Sequence, residues 1–300
     1  MKIGFIGTGT MGQPMLGNLV KKGFQVVAYD VVAAALDSAE RLGAARAGSI
    51  GEAVADCDLV VTMLPSSANV EAVYLGSGGI VDSASTGRLC VDMSTIDPGT
   101  SQRVAARLKE RGLRFLDAPV SGGVGGAVAG TLAIMVGGDP RDLAEARPAL
   151  AAMGTNIIHV GAVGAGEVTK LCNNLISGAA LVAVAEAFRI GEAFGVDAQV
   201  LTNVIAKSSG STWVMEHMHP VPGIVDSAAS SRQYAPGFMT DLMAKDLGLA
   251  VSAARDKRVP VVVAPAAQQL YRMASSHGLG REDFSAVYKF LKPSSDDAPV

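Results

Sequence analysis

Three cysteines in 300 residues leave little room for a disulfide-stapled scaffold. Cys57, Cys90 and Cys172 stand in apolar runs with neither paired nor metal-ligand spacing, so they are expected to be small buried residues in a reducing compartment. Charge of one sign is equally scarce. The 25 basic residues face 28 acidic ones, the formal net charge is -3, and no block of like charges occurs. That balance argues against a surface tracking a phosphate backbone or an acidic bilayer, so neither nucleic acid nor membrane is expected as a partner. Of the four histidines, His217 and His219 lie close together without a carboxylate cluster to complete a coordination set, and no metal is expected. No apolar run reads as long enough to span a bilayer. The chain opens on a strand-like Lys2–Ile6 in place of a basic, apolar leader, so the expected location is the cytoplasm.

What is present is apolar residue in quantity, 49% of the chain, enough for a sizeable core and more than one domain at this length. Short β-rich runs alternate with helical ones through the first half: residues 3–6, 25–29, 58–63, 89–92, 114–119, 132–136 and 156–160 read as strands. Their spacing predicts βαβ units and a mainly parallel sheet. After Gly161 the pattern changes to long helices, the first over about Glu167–Phe194 and another over Val259–Ser275. The expected fold is α/β: an N-terminal doubly wound (Rossmann) domain over 1–161, an interdomain helix over 162–194, and an all-α domain over 195–300 for substrate and oligomerisation. Apolar helices in excess of what one bridging helix can cover predict a homodimer or homotetramer. The stretch from Ser208 to Gly237 has no clear period, and Pro293–Val300 reads as a frayed tail.

The first strand empties into Gly7-Thr8-Gly9-Thr10-Met11-Gly12 and then a helix. In that context Gly7 permits a tight turn, Gly9 lets backbone approach a pyrophosphate, and Gly12 lets the helix pack closely on the sheet with its N-terminal amides facing the anion. The second strand ends at Asp30, where a carboxylate can accept from ribose hydroxyls and would repel a phosphate. No lysine or arginine follows in Val31-Val-Ala-Ala-Ala, which favours NAD over NADP. Two more strand ends, Met63-Leu64-Pro65-Ser66-Ser67 and Asp92-Met93-Ser94-Thr95, fall on the same edge and are expected to line the cofactor, with Asn69 just beyond. Asp117-Ala-Pro-Val-Ser121-Gly122-Gly123 offers backbone N–H groups that suit a carboxylate, although Ser-Gly-Gly is also a common flexible turn.

The most informative segment is Gly161-Ala-Val-Gly164-Ala-Gly166-Glu-Val-Thr-Lys170-Leu-Cys-Asn173-Asn174. It places an ammonium in an apolar helix, with Lys170, Asn174 and Ser177 on one face. A lysine so placed finds a partner, loses its proton more easily or borders a wet cleft, all of which suit an acid/base catalyst. A structural lysine snorkelling to the surface fits the same position.

The glycine fingerprint, the Asp117–Gly126 motif, the Gly161–Asn174 motif and Lys245-Asp246-Leu247-Gly248-Leu249 together resemble the β-hydroxyacid dehydrogenase family over nearly the whole chain. The resemblance implies NAD-dependent oxidation of the 3-hydroxyl of a small hydroxyacid to its semialdehyde. It implies Lys170 as acid/base, Ser121, Gly122, Gly123 and Asn174 at the substrate carboxylate, Lys245 at cofactor and substrate, and Thr95 near the nicotinamide. Trp213, Phe238 and Asp246 are expected at the substrate by the same resemblance. The segment His219-Pro220-Val-Pro222-Gly223 is similar to a loop of the members that oxidise 3-hydroxyisobutyrate. Met218 and His219, standing where such members have tyrosine and asparagine, keep L-serine, 3-hydroxypropionate and tartronate semialdehyde open as substrates. A non-catalytic NAD sensor is the alternative of a different class, against which Lys170 argues.

Overall fold

The computed structural model describes residues 1–292, which places the Pro293–Val300 tail outside the described residues. The chain divides into two compact units, Met1–Lys170 and the part from Leu171 onward. In the first unit the strands are β1 (Lys2–Ile6), β2 (Gln25–Tyr29), β3 (Ala45–Arg46), β4 (Leu59–Thr62), β5 (Leu89–Asp92), β6 (Arg114–Asp117), β7 (Val120–Ser121), β8 (Leu132–Gly137) and β9 (Gly154–Gly161). They form one sheet in the order β3-β2-β1-β4-β5-β6-β8-β7, with β9 against β8. The pairings among β1 to β6 are parallel, while β8 runs antiparallel to β6 and β7. The order of winding reverses between β1 and β4, which makes the carboxyl edge there the crevice where doubly wound sheets bind ligands.

Side-chain alternation builds the two faces of this sheet. Ile3, Phe5, Leu59, Val61, Leu89 and Val91 enter one apolar cluster with Met15, Leu16 and Leu19 of the helix Gly12–Lys21. Ile6, Val60, Cys90 and Phe115 enter the other with Val70, Tyr74, Val104 and Leu108. Strands buried on both faces read as continuous apolar runs, and each such side chain contributes about 1.5–3 kcal/mol of transfer free energy. The seven expected strands all form, with ends displaced by a residue or two. The two-residue strands β3 and β7 escaped the sequence reading because so short a segment carries no period.

Among the described residues the second unit is helical: the continuation of Ala165–Ala193, then Ala198–Ile205, Trp213–His217, Thr240–Asp256, Val263–Ala274 and Val287–Phe290. Leu181, Ala185, Phe188, Met243, Leu247 and Tyr271 centre its core. The helix expected from Val259 starts instead at Val263, because Arg258 has a positive φ of 56° and Pro260 follows it. The stretch from Ser208 to Gly237 is organised by the short Trp213–His217 helix, whose Thr212 hydroxyl caps the Met215 N–H, and by a 3-10 turn at Ser230–Arg232. The Tyr234 hydroxyl donates to the Pro220 carbonyl at 2.8 Å.

Two sequence expectations are corrected. Cys172 is exposed whereas Cys57 and Cys90 are buried, because its helical position turns it away from the apolar stripe of its neighbours. The Ala165–Ala193 helix, with 29 residues, is long and apolar enough by length and composition to cross a membrane, contrary to the reading from uninterrupted runs. Lys170, Asn173 and Asn174 break the run in the linear chain but not the average along the helix. Its Leu181, Val182, Ala185 and Phe188 side chains lie in the helical core, and a core helix passes the same length and composition test.

Candidate active site

The glycine turn is built by close approach. An added Cβ on Gly7, where φ is +95°, would stand 2.2 Å from the Met63 carbonyl oxygen, and one on Gly12 would stand 2.0 Å from that of Gly7. Both positions therefore require glycine for the fold. Gly9 differs: an added Cβ there meets no protein atom within 4 Å. Space is left in front of Gly9, a cradle that suits a group approaching the backbone from outside. The helix Gly12–Lys21 has no acidic residue in its first turn, which leaves its positive end available to an anion. Thr10 is exposed and Met11 half-buried beside this space. The dinucleotide fits this edge on the chemistry of the residues present.

Asp30 ties the turn to β2. Its carboxylate accepts from the Thr8 N–H at 2.7 Å and the Thr8 hydroxyl at 3.4 Å, and its second oxygen accepts from the Val32 N–H at 2.9 Å. Thr8 is fully buried, so its polar groups serve the turn through Asp30. A carboxylate has about four lone-pair sites. The three bonds leave acceptor capacity on the half-buried Asp30 for a ribose. Leu64 is half-buried, Pro65 and Asn69 are exposed, and Ser66 caps the helix Ser67–Leu75 while its hydroxyl donates to the Asn69 side chain at 2.6 Å.

The turn after β5 departs from the expectation that all of it faces the cofactor. Asp92, Met93 and Ser94 are fully buried, and Thr95 is half-buried. Asp92 Oδ1 accepts from the hydroxyls of Thr62 at 2.7 Å and Ser94 at 2.6 Å, and Ser94 Oγ in turn accepts from the Leu64 N–H at 2.8 Å. Burial pushes the Asp92 carboxyl up to about 6, against the lowering pull of its hydroxyl donors. Paired with Asp92 in register on the neighbouring strand, Asp117 ends β6. It accepts from the N–H groups of Gly164 at 2.8 Å and Glu167 at 3.1 Å, so a strand-borne carboxylate caps the Lys170 helix. Burial raises the Asp117 carboxyl above its ordinary range in spite of these bonds. Ser121 is half-buried, and Gly122 and Gly123 adopt φ of +135° and +60°, conformations that favour glycine, ahead of the helix Gly123–Ala129.

Lys170 lies in the second turn of the Ala165–Ala193 helix and is only 5% exposed. Asn174 and Ser177 share its face at helical spacing. In the second unit, Asn174 Nδ2 donates to Asp246 Oδ2 at 2.6 Å, and Lys245 Nζ stands 3.2 Å from Asp246 Oδ1. Asp246, 2% exposed, thereby orients the Asn174 amide and holds Lys245. Trp213 is 63% exposed and stacked on His217 with ring centroids 4.6 Å apart. Phe238 is half-buried on Phe284, its N–H held by Asp283 at 3.0 Å. His219 is fully buried. Its Nδ1 accepts from the Val221 N–H and its Nε2 meets the Thr202 hydroxyl at 3.1 Å, so both ring nitrogens serve the protein. Burial pushes its pKa down to about 4.

Sequence reasoning gave no role to Glu167, which is fully buried and accepts from the Ile96 N–H at 3.1 Å. An acidic residue in a helix's first turn normally sits in water, which is how it reads in the sequence.

Comparison with known proteins agrees with this geometry. Residues 2–161 match the family described as the NAD binding domain of 6-phosphogluconate dehydrogenase, and residues 164–291 match that described as NAD-binding of NADP-dependent 3-hydroxyisobutyrate dehydrogenase. The chain is 44% identical to the NAD-dependent L-serine dehydrogenase of Pseudomonas aeruginosa, over 98% of both chains. It is 41% identical to the mitochondrial 3-hydroxyisobutyrate dehydrogenase of Rattus norvegicus, covering 97% of this chain and 87% of the relative. The solved structure of Mycobacterium tuberculosis 3-hydroxyisobutyrate dehydrogenase with L-serine superposes with a TM-score of 0.92 at 41% identity, covering 97% of this chain and 99% of that one. A doubly wound sheet with its glycine turn at the winding reversal, a helical second unit and relatives matched almost end to end show that the chain belongs to the β-hydroxyacid dehydrogenase family.

Proposed function

We propose that this protein oxidises the 3-hydroxyl of a small β-hydroxyacid to the semialdehyde, with 3-hydroxyisobutyrate as principal substrate and L-serine as the second reading. The observation that carries the reaction is Lys170, a lysine 5% exposed in the helix that Asp117 caps. NAD, when bound, supplies the hydride acceptor for C3 of the substrate. The glycine turn and the positive end of the Gly12–Lys21 helix hold its pyrophosphate, and Asp30 accepts from the adenosine ribose. Ser121, Gly122 and Gly123 receive the substrate carboxylate, joined by Asn174 one helical turn beyond Lys170. Lys170 takes the hydroxyl proton on its amine nitrogen as the C–O bond gains double-bond character. Leu64, Pro65, Asn69, Thr95 and Lys245 serve the cofactor side, and Trp213 and Phe238 shape the substrate side.

L-serine is kept as the second reading because a relative of 44% identity is an L-serine dehydrogenase and the similar solved structure is one with L-serine. Both substrates present a carboxylate and a 3-hydroxyl, and they differ in an ammonium against a methyl group at C2. Initial rates of NADH formation on 3-hydroxyisobutyrate, L-serine and 3-hydroxypropionate, repeated with NADP, decide between them. Lys170→Ala should cost about 10²- to 10⁴-fold in turnover with NAD affinity retained. Normal turnover in that variant defeats the mechanism.

Self-association as a dimer or tetramer belongs to the same proposal. Ile176, Phe194, Val200, Val204 and Val262 are each more than half exposed on the helical unit, large apolar side chains that contact with a second copy would take out of water. Sedimentation at micromolar concentration tests it.

A further inference from the structure

We infer that Glu167 is a positioning residue for this reaction: its buried carboxylate fastens the Thr95–Ile96 turn to the helix that carries Lys170. The inference rests on the roles proposed above for Lys170 and Thr95. Glu167 precedes Lys170 by three residues, so the two side chains emerge from the same side of the helix. Its Oε2 accepts from the Ile96 N–H at 3.1 Å across 71 residues of sequence, and its own N–H donates to Asp117 at 3.1 Å. The helix is therefore held to β6 by its Glu167 N–H on the Asp117 carboxylate, and to the turn after β5 by the Glu167 side chain on the Ile96 N–H.

The same turn is anchored at its other end. Ser94 donates to Asp92 Oδ1 from its hydroxyl at 2.6 Å and from its N–H at 3.3 Å. Beyond Ile96, the Asp97 N–H donates to the Ser67 hydroxyl at 3.1 Å. Thr95 thus sits between two buried carboxylates, Asp92 on its own strand and Glu167 on the Lys170 helix. A helix-dipole role alone does not explain why Glu167 is fully buried, since burying a carboxylate is costly unless hydrogen bonds compensate, whereas an exposed acid in that turn would serve the dipole equally. What burial adds is a rigid link between the cofactor turn and the acid/base helix. A link of this kind controls approach geometry, to which rates are steeply sensitive.

Two variants of the full-length protein separate the contact from general stability. Glu167→Gln keeps a carbonyl acceptor for the Ile96 N–H; Glu167→Ala removes it. With saturating NAD and hydroxyacid, the pre-steady-state rate of NADH formation should fall by about 10- to 100-fold in the alanine variant. In the glutamine variant it should stay within about 3-fold of wild type, because the acceptor is retained. Amide hydrogen exchange at Ile96, measured without cofactor, should be slow in wild type and the glutamine variant and fast in the alanine variant. A wild-type rate in Glu167→Ala overturns the inference, as does an equally large loss in both variants. If the alanine variant does not fold, the glutamine variant still decides: full rate with a freely exchanging Ile96 amide means the bond is not needed. Lys170→Ala run alongside keeps the two claims apart. Its retention of turnover would remove the acid/base reading, while the Ile96 exchange comparison would still report whether Glu167 holds the turn.

Discussion

Gly9 and Gly12 are two residues of one turn that should respond to alanine in opposite ways. At Gly12 the new Cβ would fall 2.0 Å from the Gly7 carbonyl oxygen and 3.3 Å from the Phe5 ring, and the nearer atom is backbone that cannot swing aside. Opening that contact moves the turn or the helix, at a cost of about 1–3 kcal/mol or more. At Gly9 the added Cβ meets nothing within 4 Å, and the backbone there is not in the left-handed region. Alanine should leave folding unchanged or stabilise it by about 0.4–1 kcal/mol through the unfolded chain. The methyl group would instead stand where the pyrophosphate must approach. An overpacking penalty of about 1–3 kcal/mol on the complex corresponds to a roughly 5- to 150-fold weaker NAD affinity. Urea unfolding without cofactor gives the first quantity and NAD titration by calorimetry the second. Gly9→Ala with unchanged NAD affinity would refute the placement of the cofactor, whatever its stability. Gly12→Ala with wild-type stability would refute the packing argument.

Asp30→Arg should lower NAD turnover and shift the NADP to NAD ratio upward. It should also destabilise the first unit by about 1–3 kcal/mol, because the buried Thr8 N–H loses its 2.7 Å acceptor. An unchanged cofactor ratio would remove the ribose assignment. Cys172 should react with an aromatic disulfide reagent in the native protein, while Cys57 and Cys90, whose thiols burial pushes up, should react only on unfolding; more than one rapid thiol per chain would contradict the burial. His219, held down to about 4, binds no proton in the fold between that value and its ordinary range, whereas the unfolded chain does. Stability of the helical unit should therefore fall by at most about 1.4 kcal/mol per unit as pH drops from roughly 6.5 toward that value. Asp92, raised to about 6, has the opposite sign: the folded first unit takes up a proton before the unfolded chain does, so its stability should rise as pH falls from about 6 toward the ordinary carboxylate range. Fluorescence of Trp213, the single tryptophan, reports the first slope, and His219→Gln should flatten it.

The two halves of the molecule were legible in the chain to different degrees. Strands β1, β4 and β5 could be read because parallel strands buried on both faces are largely apolar, β2 and β6 because apolar residues fill their centres, and a glycine or aspartate marks where β1, β2, β5 and β6 leave the sheet. The Ser208–Gly237 stretch could not be read, since its order comes from single bonds such as Tyr234 to Pro220 and His219 to Thr202 that have no periodic signature. His219 shows the limit well. In the sequence it was a departure from a substrate loop, and in the structure it is a fully buried strut, packed edge-to-face on Phe188 with ring centroids 4.5 Å apart.

By itself the sequence determined the fold class, the glycine turn and the lysine in an apolar helix, because these depend on local spacing: glycines where a turn allows no Cβ, and residues three and four apart on a helix. Only the tertiary structure decided which acids work from inside. Asp92, Asp117 and Glu167 lie far apart in the chain, and as sequence they look like any other carboxylates. Each is buried because a distant partner, Thr62, the Gly164 N–H or the Ile96 N–H, comes within hydrogen-bonding distance when the sheet closes. Burial and pairing across long separations set the cost of a charge, and neither is written in the neighbours of a residue along the chain.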